Sequence, residues 1–600
     1  MTMEKQSQYF GQDQKQPRKR LWQNKISRLL HRWTGVEQLF SMYEKLPPSN
    51  GPVAFVERVF DLFDIKEFYR QEEIHYIPES GASVVISNHP FGAVEGMALL
   101  KLLLKRRPDV RVLANSWLHA ITELKDNIIP MNPYGGKNAI KDNIRSMREA
   151  VEWLRGGGLL VIFPAGEVAH WQFSKRRISD PQWHLNVARL IKKTSPSVVP
   201  VYFFGRNSLR FNILGMIHPV LRTVMLPREL LNKKHLRMQY AVGKCISCGQ
   251  YKNMSDKELL DYLRMRTYML ANIRKAHEKP SLDHPTVQTF AAIIDAVPRQ
   301  IQSDEVQALP ASRCLAQIGS LKAYYAEADE VPNLLREIGR LREITFRANG
   351  EGTGLDSDLD EYDRYYLHLF VWDGDKQCIV GAYRIGKADE IIRAHGIQGL
   401  YSYSLFRYPK TFIRKILPAV ELGRSFIRHE YQKSFSPLLL LWRGIATFVL
   451  QNPKYKTVFG PVSISNDYNP VSQQLLVEFL KLYNYQPELA RSVKARNPLK
   501  KNRQLRRSDV ASIKYLDNVS EIISLIENKN VGVPILIKQY LKLGGVMLGF
   551  NIDKSFGNSI DCLVKIDLTV TDEKILEKYM GEDGIKQFHA FHAAYYRQAS

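Results

Sequence analysis

Apolar residues recur along this chain in two rhythms. Val84-Val85-Ile86, Val110–Ala114, Ile128–Met131, Leu159–Phe163 and Val198–Phe204 are short runs, apolar at nearly every position. Such runs predict strands buried on both faces. Between them, apolar residues stand three and four apart. They predict one helix around Glu95–Lys105 and another over Ala139–Arg155, the second stopped by Gly156-Gly157-Gly158. Strand–helix alternation of this kind predicts an α/β layered domain, ending near Ala276. The following stretch, with Pro280, Pro285, Pro298 and Pro310, reads as a linker with one short helix, Val287–Ala296. A second set of elements follows. Strands are expected at Tyr366–Trp372, Cys378–Ile385, Val420–Ile427 and Val458–Val462, and helices at Leu438–Gln451 and Ser472–Leu482.

The expected fold class is therefore α/β in two domains. The N-terminal segment covers 1–70, the first domain 71–276, the linker 277–315, the second domain 316–575 and a helical tail 576–600. A length of 600 residues exceeds what one core usually serves. The 44% hydrophobic and 24% charged composition excludes general disorder, collagen and a disulfide scaffold. No apolar run approaches the roughly 18 residues of a spanning helix, and the first residues contain no apolar signal-peptide core. Five cysteines in this length point to a reducing compartment.

A net charge of +24 implies an anionic partner. Residues 1–34 hold eight Lys/Arg against two acids, and Leu21, Trp22, Ile26, Leu29, Leu30 and Trp33 recur there at helical spacing. A basic amphipathic helix with two Trp suits an anionic membrane surface; the same stripe could instead dock on the protein itself. Arg491–Lys514 carries nine Lys/Arg against Asp509. It reads as a solvated loop, or as a surface for phosphate or an acidic carrier protein. Nucleic acid is not expected, because no zinc finger, aromatic RNA signature or helix-turn-helix is visible. Cys245 and Cys248 lack a second ligand pair, so no metal is expected. His589 and His592 read as helix-surface residues.

The first constellation is Ser87-Asn88-His89-Pro90-Phe91-Gly92-Ala93-Val94-Glu95-Gly96, after a strand. A Pro- and Gly-containing turn lets the imidazole and carboxylate face each other. Glu95 could orient His89, which takes a proton from an attacking hydroxyl. Farther on lie Asn132, Gly135 and Gly136, then Phe163, Pro164, Gly166 and Glu167, then Pro200, each at a strand end where open α/β sheets place their sites. Over residues 80–245 these four blocks resemble the glycerolipid acyltransferases, with a His-x4-Asp block, an acceptor block, Phe-Pro-Glu-Gly and a late Pro. Here the acid is Glu95, one residue later, with Val94 in the expected place, and Ala165 replaces the usual Glu. These variants look like the ornithine-lipid and haemolysin-like branch.

The second constellation contains Arg347, Asp360, Asp363, Arg384, Glu421 and Arg424. It resembles the acyl-homoserine lactone synthases and the ornithine N-acyltransferases, which share a GNAT-like fold and use acyl-carrier protein thioesters. The charges read as an ion-pair network, as an acceptor pocket, or as both. Glu421 is the candidate proton acceptor for an amine. Glu421 and Arg424 would share a face on a helix and take opposite faces on a strand. Arg443-Gly444 is expected to precede a helix and offer backbone N–H groups to the pantetheine phosphate.

The whole chain resembles the bifunctional ornithine lipid synthases. The resemblance implies that the C-terminal domain N-acylates ornithine with a 3-hydroxyacyl group from acyl-carrier protein, with acyl-CoA as an alternative donor. The N-terminal domain would then O-acylate the resulting lyso-ornithine lipid. It implies no cofactor and a peripheral location on the cytoplasmic face of a bacterial inner membrane. Two other readings stand beside it. One is a lysophospholipid acyltransferase with a non-catalytic carrier-docking domain; the other is a non-enzymatic, basic, membrane-lytic protein.

Overall fold

The computed structural model describes residues 35–132, 136–173, 177–217, 219–278, 290–499, 510–511 and 513–599. The basic helix read around Leu21–Trp33, Gly135, and the centre of the second basic cluster lie outside the described residues. The chain forms two compact units, Met1–Lys275 and Ala276–Ser600.

The first unit begins with helices α1 (Val36–Lys45) and α2 (Pro52–Phe63), then β1 (Lys66–Phe68), β2 (Ser83–Ser87), α3 (Ala93–Leu104), β3 (Val110–Asn115), β4 (Ile128–Met131), α4 (Gly136–Arg155) and β5 (Leu159–Ile162). A hairpin of β6 (His170–Gln172) and β7 (Arg177–Ser179) follows, then α5 (Leu185–Thr194), β8 (Ser197–Phe204), α6 (Leu209–Ile217), α7 (Pro219–Leu231), β9 (Arg237–Val242) and α8 (Asp256–Glu278). Seven strands lie in the order β1-β9-β8-β2-β5-β3-β4. β8, β2, β5, β3 and β4 are parallel; β9 runs antiparallel to β8. Every residue of β2 is buried, as its unbroken apolar run requires of a central parallel strand. Helix α2 opens with Pro52 and belongs to the first domain rather than to the N-terminal segment expected over 1–70: Phe55, Val56, Val59, Phe60 and Phe63 share a core with Leu99, Leu100 and Leu103 of α3.

The second unit contains α9 (Arg299–Ala308), β10 (Cys314–Ile318), β11 (Leu321–Ala326), α10 (Pro332–Ala348), β12 (Leu367–Asp373), β13 (Cys378–Lys387), α11 (Ala388–His395), α12 (Tyr401–Leu405), β14 (Phe406–Arg407), α13 (Lys410–Ile416) and β15 (Ala419–Ile427). It continues with α14 (Ser436–Gln451), β16 (Thr457–Ile464), α15 (Pro470–Tyr483), β17 (Lys494–Ala495), α16 (Leu516–Glu527), α17 (Ile535–Lys542), β18 (Val546–Asp553), β19 (Ser559–Asp567) and α18 (Glu573–Ala599). Eight strands lie in the order β10-β11-β12-β13-β15-β16-β19-β18, and β15–β16 is the parallel pair. These two strands pair at Ala419–Thr457, Val420–Val458 and Glu421–Phe459 and then diverge. Gly460 sits at the fork with φ +156°; a Cβ there would fall 2.0 Å from the Leu422 carbonyl oxygen, so the approach of the two backbones requires glycine.

Three further expectations differ from the structure. The described part of Val287–Ala296 is extended, with Ala291 and Ile294 donating to the carbonyls of Gly354 and Asp356; the helix starts after Pro298 instead. His592 is buried against Phe588 rather than on a helix surface, because α18 packs its apolar face on the unit through Leu576, Met580, Ile585 and Phe588. Arg443 and Gly444 are not at a helix start. They lie inside α14, within the helix expected over Leu438–Gln451, where backbone N–H groups are spent on the helix. A Cβ on Gly444 would stand 2.9 Å from Leu369, so this glycine lets α14 lie close on the sheet, and Arg443 turns towards the Lys578 carbonyl.

Candidate functional site

In the first unit, β2 delivers its last residues into a turn that the Asn88 side chain fixes. Asn88 donates to the Phe203 carbonyl and accepts from the Phe203 N–H, tying the turn to β8. His89 comes next. Its Nδ1 stands 2.9 Å from Oε1 of Glu95, in the first turn of α3. The same oxygen accepts N–H bonds from Phe91 at 2.9 Å and Gly92 at 3.0 Å. An acid at a helix N-terminus is favoured there, and this one also sets the turn that carries its partner. Glu95 is fully buried, whereas the His89 side chain keeps 17% exposure. With Nδ1 turned to the carboxylate, Nε2 is the ring nitrogen left for a substrate hydroxyl.

The Phe163 ring stacks on the His89 ring at 4.2 Å. Phe163 leaves β5 at the same end of the sheet. Its carbonyl accepts from Gly166 N–H, closing a turn in which Gly166 takes φ +64°. The Pro164 carbonyl accepts from His184 N–H. Glu167 is largely exposed and pairs with Arg222 of α7 at 3.0 Å. Asn132 follows β4 and exchanges hydrogen bonds with the Asn143 side chain of α4. Gly136 opens α4. Pro200 lies within β8 opposite Ile86, and its carbonyl accepts from Gly243.

Two residues without a local sequence signal join this site. Asp180 is buried; its Oδ1 accepts the His89 backbone N–H at 3.1 Å and its Oδ2 accepts the Trp183 indole N–H at 3.0 Å. Burial pushes its carboxyl above the ordinary range, against those two hydrogen bonds. Lys233, also buried, donates to Asn207 Oδ1 at 2.6 Å and lies 4.9 Å above the Phe91 ring. Burial lowers its ammonium pKa, while Glu229 and Glu95 oppose that shift.

In the second unit, Asp360, Asp363, Arg384 and Arg424 meet. Asp360 Oδ1 and Asp363 Oδ1 both face Nη1 of Arg384, the latter at 3.4 Å, and Asp363 also pairs with Arg342 at 2.8 Å. Arg424 reaches Asp358 at 3.3 Å and Asp360 at 3.6 Å. Burial alone would raise Asp363, but Arg342 and Arg384 hold it well below the ordinary carboxylate range. The Arg384 guanidinium lies over Tyr362, Tyr366 and Tyr401.

Glu421 and Arg424 approach the same tyrosine although both are on β15. Gly423 faces Arg384 and Phe426 faces Ala382, so Arg424 and Ser425 form a bulge, with Arg424 at φ +49°. Arg424 Nη1 donates to the Tyr401 hydroxyl at 3.2 Å. Glu421 accepts from the N–H groups of Tyr401 and Ser402 and from the Tyr366 hydroxyl. Both its oxygens accept these bonds and the side chain is buried. It positions α12 and Tyr366. Arg347 stands apart from this cluster among the described contacts. It pairs with Glu343 at 2.8 Å and donates to the Ala291 and Leu355 carbonyls. Buried Glu343 in turn holds the Thr353-Gly354 loop.

Among the described residues no group of His, Cys, Asp and Glu could hold a metal ion, and no helix is long and apolar enough to cross a membrane. Residues 24–277 match the model of an acyltransferase family, and residues 341–442 match that of the acetyltransferase (GNAT) domain. The chain is 31% identical over 268 residues to a glycine N(alpha)-acyltransferase of Bacteroides thetaiotaomicron, covering 42% of this chain and 79% of that protein. It is 30% identical over 258 residues to an L-ornithine N(alpha)-acyltransferase of Rhodobacter capsulatus, covering 41% and 90%. A lyso-glycine lipid O-acyltransferase of Phocaeicola vulgatus is 29% identical over 202 residues, covering 32% and 69%. The chain is an acyltransferase that belongs to the N(alpha)-acyltransferase family through its GNAT domain, and it carries a second acyltransferase domain on the same polypeptide.

Proposed function

We propose that the chain makes ornithine lipid in two steps. The second unit transfers a 3-hydroxyacyl group from acyl-carrier protein to the α-amine of ornithine. The first unit esterifies the new 3-hydroxyl with a second acyl chain. The observation that carries this reading is the union on one chain of relatives that acylate an amino acid with relatives that acylate a lyso-aminolipid, beside the His89–Glu95 pair.

In the ester step, His89 Nε2 takes the proton of the hydroxyl as its oxygen attacks the thioester carbonyl. Glu95 stabilises the imidazolium that forms. The tetrahedral intermediate collapses, the C–S bond breaks, and the proton passes from His89 to the departing thiolate. No metal or redox group is needed for either acyl transfer. The substrate of the ester step is an amphiphile, and the first unit offers an apolar surface for its host membrane. Leu209, Ile213 and Met216 of α6 are exposed, as are Trp171 and Phe173 of the adjoining hairpin. Trp171 N–H donates to Asn212 of α6, which holds the two together. Segment 204–237 has seven Lys/Arg and one acid, Glu229, which is buried. That charge favours an anionic bilayer and an acidic carrier protein.

A second reading takes glycine as the head group, because two of the relatives are glycine N(alpha)-acyltransferases. Mass spectrometry of lipids from an aminolipid-free bacterium expressing the chain separates the two. A phosphate-free lipid with one amide, one ester and an ornithine fragment is expected. A glycine fragment would replace the head group, and an unchanged extract from folded protein would overturn the proposal.

A further inference from the structure

Below Tyr401, one face of the second sheet carries more carboxylates than cations. Asp561 of β19 lies opposite Ser463 of β16 on one side and Asn551 of β18 on the other, and Asp553 lies opposite Ser559. Residues two apart on a strand share a face, so Asn551, Asp553, Ser559 and Asp561 all project to the same side. Glu351, in the loop after α10, joins them by bonding to the Ser463 hydroxyl. Asp561, Glu351 and Asp553 are 5%, 8% and 9% exposed. Arg424 is the cation that acts on both Asp561 and Glu351, and it is already paired with Asp358 and Asp360. Burial, then repulsion from Asp553 and Glu351, pushes Asp561 far above the ordinary carboxylate range; burial, then Asp467, brings Glu351 up to about 7.

A separate observation points the same way. Asn551 Nδ2 and Ser559 Oγ, on side chains 1% and 0% exposed, have no hydrogen-bond partner on this face, and Asp561 Oδ2 has none either. Buried polar groups are seldom left unpaired unless something else fills their valence. The face also adjoins the fork between β15 and β16, where the strands part after Glu421 and Phe459. Among the described residues no group of His, Cys, Asp and Glu could hold a metal ion; an organic ammonium asks only for acceptors and negative charge.

We infer that Glu351, Asp553 and Asp561 form a subsite for the side-chain ammonium of a basic amino acid acceptor, with Asn551 and Ser559 completing its polar wall. This rests on the reading that the second unit N-acylates an amino acid. Carboxylates around the side-chain nitrogen keep it protonated, so it has no lone pair to offer. The α-nitrogen is then the nucleophile. It bonds to the thioester carbonyl carbon, the C–S bond breaks, and the proton lost by nitrogen leaves with the thiol. The subsite thus selects the head group and the position of the amide together.

The test uses the purified full-length chain with a 3-hydroxyacyl carrier-protein thioester. Ornithine is set against norvaline, which has the same carbon chain without the ammonium. Wild type should favour ornithine by about 100-fold in kcat/KM and give the α-amide alone. Asp561→Asn should cut that ratio to below about tenfold and release some side-chain amide, and Glu351→Gln should move both readouts the same way. Comparable kcat/KM for ornithine and norvaline in wild type would overturn the subsite while leaving the N-acyltransferase reading intact. Retention of the wild-type ratio by both variants would do the same. Acylation of glycine but of neither of these would overturn the subsite alone; acylation of none of the three would overturn that reading and the subsite with it.

Discussion

Oε1 of Glu95 accepts two backbone N–H bonds, from Phe91 and Gly92, and stands 2.9 Å from Nδ1 of His89. One oxygen therefore shapes the turn and faces the base. Glu95→Gln keeps a carbonyl for the turn and removes the negative charge. It should fold normally and slow the ester step by about 10- to 100-fold. Glu95→Ala should also lose about 1–3 kcal/mol of stability, because buried N–H groups lose their acceptor. Thermal denaturation beside ester-forming activity separates the two effects.

His89→Ala should reduce ester formation by about 100-fold or more while amide formation continues. The monoacylated, phosphate-free intermediate should accumulate in lipid extracts. Normal diacylated product would remove His89 from the chemistry.

Glu421→Ala should abolish amide formation by loosening the structure around α12. It strands the Tyr401 and Ser402 N–H groups and the Tyr366 hydroxyl, at about 1–3 kcal/mol for each buried donor left unpaired. A lowered Tm together with lost activity is the expected signature. Lost activity at an unchanged Tm would identify Glu421 as a direct participant.

Gly444→Val should lower the Tm of the second unit, because the added side chain meets Leu369 and lifts α14 from the sheet, at about 1–3 kcal/mol. Arg443→Ala should keep amide formation within about threefold of wild type, since its described contact is with the Lys578 carbonyl. A large rise in the apparent KM for the carrier-protein thioester in Arg443→Ala would reinstate it as a donor contact.

Burial moves Glu351 from its ordinary 4.5 up to about 7. Between those values the folded state binds more protons than the unfolded chain, so this group lowers stability as pH rises through the window. Glu351→Gln removes the effect. The Tm of the variant relative to wild type should rise from pH 4.5 to pH 7.5, by an amount equivalent to at most about 3 kcal/mol. The comparison is made between the two proteins because His368, lowered to about 4 by burial and Arg342, gives the opposite slope to both. A Tm difference that stays flat with pH would show that Glu351 is not perturbed.

The parts of the site that were legible in the sequence are those fixed by neighbouring residues. His89 and Glu95 are six apart, and one strand, one turn and one helix start determine their meeting. Asp180 was not legible, because it meets His89 across 91 residues and no short pattern marks it. Nor does the sequence mark the bulge at Arg424. A regular strand would send Glu421 and Arg424 to opposite faces, and an arginine with positive φ is held there by its partners rather than by intrinsic preference. Arg443-Gly444 misled for a related reason. Glycine reads locally as a helix boundary, whereas here its missing side chain answers to Leu369 on another element.

The parting of β15 and β16 at Gly460 makes the second sheet two leaves joined at a root of three residue pairs. Widening the gap between the leaves breaks no rung of either ladder, so it costs only the repacking of side chains along the inner edges. Exchanging bulky for small residues there therefore changes the gauge of the opening with both leaves left intact.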